Sequence, residues 1–213
     1  MNEPSKLEER FPSKPLRVWP GAFMAVAMLS VAWSMHAKSI KWDQPNDGVF
    51  GRSSNWNPRQ APASGDTAVF RHGSGGYTVV VDEDVITGLK VDGDAITLEI
   101  GADNTLTNEN DSWLGVDSYG SLTLTGGTLR SAGNADRLAR NNLSSASLTI
   151  TGPTAIWETS RHGMEIARDG PAEVVVENGA KVVARQKDGR IDIGKDGNTG
   201  KLILRSRGSE WDG

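Results

Sequence analysis

From Gly120 onward the chain repeats itself, and that repeat limits what it can fold into. Leu122-Thr-Leu-Thr125 returns as Leu148-Thr-Ile-Thr151, then as Val174-Val-Val-Glu177 and as Leu202-Ile-Leu-Arg205, at steps of 26, 26 and 28 residues. A self-similar period in this range is the signature of a stacked or solenoid architecture. Each run is followed by a turn: Gly126-Gly127, Gly152-Pro153, Asn178-Gly179 and Arg207-Gly208. A second short run follows, as Thr128-Leu129-Arg130, Ala155-Ile156-Trp157 and Lys181-Val182-Val183. Trp157 and Trp211 lie 54 residues apart, which is two periods of 27. A third run closes the unit: Trp113-Leu114-Gly115-Val116, Arg137-Leu138-Ala139-Arg140, Glu165-Ile166-Ala167-Arg168 and Asp192-Ile193-Gly194-Lys195.

The runs read as strands because their apolar residues alternate. In Leu122-Thr-Leu-Thr125 every second residue is apolar, with Thr between, as on a half-buried strand. Gly, Asn and Asp fill the corners, where tight turns need a positive φ. Helix is excluded by the shortness of the runs and the frequency of Gly. Three strands per unit predict an all-β, right-handed parallel β-helix, in which each strand pairs with its counterpart about 4.8 Å away in the next coil. Leu122, Leu148, Val174 and Leu202 form one inward ladder, and Leu138, Ile166 and Ile193 another. A propeller needs four strands per blade and a longer period. An antiparallel sandwich explains the alternation but not the three-way match within each period. Leu98 precedes Leu122 by 24 residues, so the repeat extends back to about Tyr77 with looser spacing, giving about five coils over residues 77–213.

Two segments precede the repeats. Residues 1–37 read as a secretory signal segment. Lys14 and Arg17 lead an apolar run from Val18 to Trp33, followed by small residues around Ala32-Trp33-Ser34 and Met35-His36-Ala37. The run is 16 residues, short for a membrane span of about 20. An uncleaved anchor is the other reading, and the segment is the only membrane contact expected. Cleavage would start the mature chain near Met35 or Lys38. With no Cys in the chain, no disulfide holds the exported fold. Residues 38–76 place Trp42, Phe50, Trp56, Pro58 and Pro62 at irregular spacing, which predicts an irregular cap over the open end of the stack. The competing reading makes Trp42 and Trp56 a sugar-stacking platform.

Composition narrows the function classes. There are 25 Gly, 6% aromatic residues and 37% apolar residues, which suits a turn-rich β protein. Net charge is −4; residues 1–37 carry four cations against three anions, leaving −5 on the remainder. Nucleic acid is therefore not an expected partner, since binding it needs a concentrated basic face.

Trp42, Asn55-Trp56, Pro62, Gly65-Asp66, Tyr77-Thr-Val79, Gly120-Ser-Leu-Thr-Leu-Thr-Gly-Gly127, Val176-Glu-Asn-Gly-Ala180, Ile193-Gly194 and Gly208-Ser-Glu-Trp211 together resemble bacterial autotransporter and PEP-CTERM-associated repeat proteins. The resemblance covers most of residues 42–213 and lies in turns and strand cores. It implies an exported or surface-associated β-solenoid, often part of a longer chain, and brings no catalytic residues with it. The chain departs from the pattern at Leu138-Ala-Arg140 and at Gly152-Pro153, which predicts a distorted coil there.

Little chemistry stands out. His72 lies in Arg71-His-Gly-Ser-Gly-Gly76, which lacks the spacing of a nucleophile elbow. His162 lies at a corner with nothing in sequence to pair it to His72. The carboxylates Asp82-Glu-Asp84, Asp92, Asp94, Asp103 and Asp111 fall at turns. A pair of them about 5–10 Å apart would suit glycoside cleavage. Asp188–Asp192 and Lys195–Asn198 fit neither common calcium-loop pattern, and no metal or cofactor is expected. Two readings stay open. One is a non-enzymatic surface stalk, structural or adhesive, meeting surface glycans or other cells. The other is a carbohydrate-active or glycan-binding β-helix. The chain stops after the second strand of a coil, so it reads as a fragment able to associate through its open C-terminal coil.

Overall fold

In the computed structural model the described residues are 37–161, 163–184, 190–194, 197–205 and 208–212. The expected signal segment up to His36 lies outside them, as do His162, Asp188, Lys195 and Asp196. Among the described residues there is no α-helix; there are twenty strands, and a 3-10 turn, Ser53–Asn55, lies among the first of them. No described helix is long and apolar enough to cross a membrane.

The strands stack as a β-solenoid of about six turns with three parallel faces. The first face holds β2 (Gly48–Val49), β5 (Gly75–Val81), β7 (Ala95–Ile100), β10 (Tyr119–Thr125), β13 (Ser145–Thr151), β16 (Ala172–Glu177) and β19 (Gly200–Leu204). The second holds the first half of β6 (Val85–Val91), then β8 (Thr105–Asn108), β11 (Thr128–Ser131), β14 (Ile156–Thr159), β17 (Lys181–Ala184) and β20 (Glu210–Asp212). The third holds β4 (Thr67–Phe70), the second half of β6, β9 (Ser112–Leu114), β12 (Asp136–Leu138), β15 (Gly163–Ile166) and β18 (Arg190–Ile193).

Register turns the repeat into a core. Tyr77, Ile96, Leu122, Leu148, Val174 and Leu202 stand in one ladder. Val79, Leu98, Leu124, Ile150, Val176 and Leu204 stand in the next. The step from the 96–100 strand to β10 is thus 26 residues, not the 24 obtained by setting Leu98 against Leu122. The looser spacing lies one coil earlier, where Tyr77 meets Ile96 after 19 residues. That coil is short because β6 serves two faces: Val85–Thr87 pair with β8 and Lys90–Val91 with β9, with no corner between. The bend falls at Gly88, where a Cβ would overlap the Asn110 carboxamide. On the second face Leu129 stacks on Trp157, and Thr128 on Ile156. The equivalent triplet is therefore Ile156-Trp157-Glu158, one residue on from the match read in the sequence. Trp157 turns inward and is buried.

The third-face corners carry one conformation through four coils. Gly115, Ala139, Ala167 and Gly194 each follow the last inward strand residue, with φ of 67°, 55°, 59° and 69°. Ala139 takes the left-handed conformation of the glycines, and β12 keeps register with both neighbours. Leu138 and Ala139 thus keep the regular path, and the departure lies in the rest of the corner, 139–144, which is longer than its neighbours. A left-handed Ala costs about 1–2 kcal/mol, small beside the packing of a buried coil.

Residues 38–76 are not an irregular lid. β1 (Ser39–Trp42) pairs in parallel with β4, and β2 pairs with β5, so the segment forms an incomplete first coil and raises the coil count from about five to about six. Its outer edge carries β3 (Trp56–Asn57), antiparallel to β1. Beneath it Trp42, Phe50, Trp56, Phe70 and Tyr77 make an aromatic core, with Trp42 and Trp56 edge to face at 4.9 Å between centroids. At the other end the ladders reach the surface: Ile193 is 46% exposed and Leu204 50%.

Candidate functional site

Neither Trp of the sugar-platform reading is available. Trp42 is 2% exposed and Trp56 0%. Their indole N–H groups donate to the carbonyls of Asn46 and Phe50 at 3.2 and 2.7 Å. Both rings are core of the first coil and present no face to a ligand. An aromatic residue in an irregular segment carries no periodic signal to say which side it faces, so the sequence left both readings open.

The carboxylates also have structural employment. Asp92 Oδ1 accepts the backbone N–H groups of Val116, Asp117 and Ser118 at 3.0, 2.8 and 3.1 Å, in the corresponding corner one coil on. Its Oδ2 faces Lys90 Nζ at 3.4 Å and Arg71 Nε at 3.6 Å. Burial pushes the Asp92 carboxyl up, but the N–H donors and the two cations outweigh burial and hold it below the usual carboxylate value. Asp111 Oδ1 accepts from Asn134 and Ala135, and Asp84 Oδ1 from Thr105. Asp94 Oδ1 accepts from the backbone of His72 and Ser74, and its Oδ2 from the Tyr77 hydroxyl at 2.6 Å. Burial first, then Asp94, raises the Tyr77 phenol well above its ordinary value. Asp82, Glu83 and Asp103 are exposed turn residues. A turn Asp reaching one coil over thus accepts the N–H groups that a parallel stack leaves unpaired at its corners.

His72 is exposed, and its Nε2 donates to the Trp42 carbonyl at 2.5 Å. Ser74 Oγ is buried with no hydrogen-bond partner. No described group of three or more His, Asp or Glu is placed to hold a metal ion.

A concave polar site lies at the third-face corners of three successive coils. Asp117, Arg140, Asn141, Asn142, Leu143 and Asp169 line a groove of about 600 Å3. It exists because the corners differ in length. Residues 115–118 and 167–171 make short corners, whereas 139–144 protrudes between them and carries Leu143, 88% exposed, outward. Asn141 Nδ2 donates to Asp117 Oδ1 at 2.9 Å, tying the protrusion to the coil before it. Asp117 faces Arg71 at 3.8 Å, and Asp169 faces Arg168 at 3.4 Å. The Arg140 guanidinium lies 4.2 Å from the Trp113 ring centroid, with Arg137 at 4.9 Å from the same ring. Arg137 is held by Asp111 at 2.6 Å and Glu165 at 3.1 Å. Among the described residues Arg140 has no carboxylate partner. Sequence reasoning missed this groove. Part of its signal was present in the third runs, whose step lengthens from 24 residues (Leu114 to Leu138) to 28 (Leu138 to Ile166), two of the added residues lying in the corner 139–144.

No protein-family model, curated protein or solved structure matches this chain.

Proposed function

We propose that this chain is an exported, non-enzymatic surface protein whose β-solenoid acts as a structural or adhesive stalk. The observation that supports this best is the use of its turn carboxylates. Asp84, Asp92, Asp94 and Asp111, the groups best suited to acid–base work, accept backbone N–H groups of an adjacent coil. Carboxylates held in that way serve the stack. The sides of the stack carry cross-coil ion pairs, Arg130 with Glu158 at 2.6 Å and Lys181 with Glu210 at 2.9 Å, as suits a surface meant to stay folded without disulfides. The signal-like residues 1–37 and the resemblance to autotransporter and PEP-CTERM-associated repeat proteins support export.

Expression of the full chain in a Gram-negative bacterium, with protease treatment of intact cells and N-terminal sequencing, tests the reading. The expected result is a mature chain starting near Met35 or Lys38 that external protease reaches. A chain retained in the cytoplasm with Met1 in place contradicts export. Release of reducing or unsaturated sugar from a panel of acidic and neutral polysaccharides contradicts the non-enzymatic part.

A further inference from the structure

We propose that the groove formed by Asp117, Arg140, Asn141, Asn142, Leu143 and Asp169 binds an acidic oligosaccharide, with one sugar carboxylate held by Arg140. The groove encloses about 600 Å3, in the range of small-molecule sites and more than a lone ion needs.

Charge selects the acidic class. Asp117 faces Arg71 at 3.8 Å and accepts from Asn141 Nδ2 at 2.9 Å. Asp169 faces Arg168 at 3.4 Å. The neighbouring charges are shared out in the same way. Lys90 and Arg71 flank Asp92, and Arg137 lies between Asp111 and Glu165, the latter also held by Arg168. Among the described residues, only Arg140 of this group of cations lacks a carboxylate. It is exposed, and the Trp113 ring 4.2 Å away gives the cation a contact but no oxygen acceptor. Its fork of N–H donors stays open to a ligand, and a planar carboxylate meets such a fork with two parallel hydrogen bonds. A cationic ligand would be repelled there. A neutral one would leave the charge unused.

The rest of the lining favours a sugar over a peptide. Asn142 is exposed, and its carboxamide bonds to no other described residue, so it can both donate to and accept from hydroxyls. Asp117 and Asp169 stay 49% and 40% exposed at the side chain, with lone pairs left for hydroxyl donors. Leu143 at the rim suits the C–H face of a ring. A peptide needs an open strand edge or apolar side-chain pockets, whereas this groove is a row of corners with one apolar side chain. The walls are pre-formed. Asn141 is tied to Asp117, and the Ser144 hydroxyl donates to the Asn141 carbonyl at 2.7 Å, so little ordering cost remains for binding.

The site gives the adhesive reading a ligand class and rests on that reading for its biological use. The test is titration of the 15N-labelled full chain at about 0.15 M ionic strength. The probes are tetragalacturonate, its fully methyl-esterified form, cellotetraose and tetraglutamate, each to about 10 mM, a range that detects millimolar binding. The expected result is shifts of the Asp117, Arg140–Leu143 and Asp169 amides with tetragalacturonate, weakening as salt rises, and none with the ester or cellotetraose. Arg140→Ala should weaken that binding about tenfold or more. Arg140→Lys, which keeps the charge and loses the fork, should weaken it severalfold. Asp169→Asn removes an anion from the lining and should not weaken it, and Glu99→Ala on the first face should leave it unchanged. Thermal unfolding checks that each variant keeps the fold. Silence of the groove amides with tetragalacturonate overturns the site, as does binding that both Arg140 variants leave unchanged. An equal response to the ester or cellotetraose, or weaker binding by Asp169→Asn, overturns the charge argument. An equal response to tetraglutamate overturns the sugar assignment. The export experiment reads out separately, so failure of the groove and failure of the surface reading are distinguishable.

Discussion

Removal of the Asp92 carboxylate should loosen the corner one coil away. In Asp92→Ala three N–H groups lose their acceptor. Val116 is buried, so its N–H stays unpaired, at about 1–3 kcal/mol. Asp117 and Ser118 are exposed, so water replaces the carboxylate there and each costs only about 0.5 kcal/mol. Lys90 and Arg71 lose a partner but keep water, adding about 0–1 kcal/mol. The sum is about 3 kcal/mol. Asp92→Asn keeps an acceptor at roughly half strength and should cost about half as much. Solenoids open locally, so the assay is hydrogen exchange at the three amides. About 3 kcal/mol corresponds to exchange roughly a hundredfold faster in the Ala variant. The pH dependence follows from the sign of the shift. The folded carboxyl titrates below its unfolded value, so its stabilisation is complete above about pH 4 and is lost as pH falls through the folded pKa. Asp92→Asn should lack that acid-induced loss. Exchange at Val116, Asp117 and Ser118 within threefold of the parent in the Ala variant would refute the staple.

Three further outcomes are expected. Gly115→Ala should destabilise by about 3 kcal/mol or more in urea unfolding, because it adds left-handed strain and its Cβ overlaps the Ser145 carbonyl oxygen. Ala139→Gly should stay within about 1 kcal/mol, since relief of the same strain offsets loss of a buried methyl. Leu124→Ala, in mid-ladder, should cost about 2–5 kcal/mol by the same assay, and Leu204→Ala, half exposed at the stack's end, under about 1.5. Tyr77 holds its proton more tightly when folded, so stability should fall as pH rises past about 10; Tyr77→Phe should flatten that alkaline limb in a pH series of melting temperatures.

The sequence exposes the repeat where both strand and corner lengths are constant. Leu122, Leu148 and Val174 recur because the chain must return to one face after each coil, and alternation marks which of them face inward. The third runs are legible from their recurrent Leu or Ile followed by Gly or Ala, although their spacing varies from 24 to 28 residues. Legibility fails where corners change length. The fused β6 removes one corner, so Tyr77 and Ile96 are only 19 apart and periodicity alone misplaced Leu98. The four-residue turn at 152–155 shifted the Ile156-Trp157 match by one, since short runs with apolar neighbours fit either register. The first coil was hidden because β2 and β3 are two residues each, too short to alternate. The roles of Asp92 and Asp94 needed the stack itself: a turn Asp looks alike whether it binds its own turn or the next coil.

The claim on which the account depends is that each period is one coil, laid in register on the last. The chain has no Cys, so an engineered pair reports without interference. Thr123 and Thr149 are paired neighbours on β10 and β13, about 4.8 Å apart, within reach of a disulfide. Thr123 and Val175 are two coils apart, about 9.6 Å, beyond that reach. The account predicts near-complete disulfide formation on mild oxidation of Thr123→Cys/Thr149→Cys, with the fold retained, and none within a monomer of Thr123→Cys/Val175→Cys. The reverse pattern, or no bond in either, would contradict the stacked register.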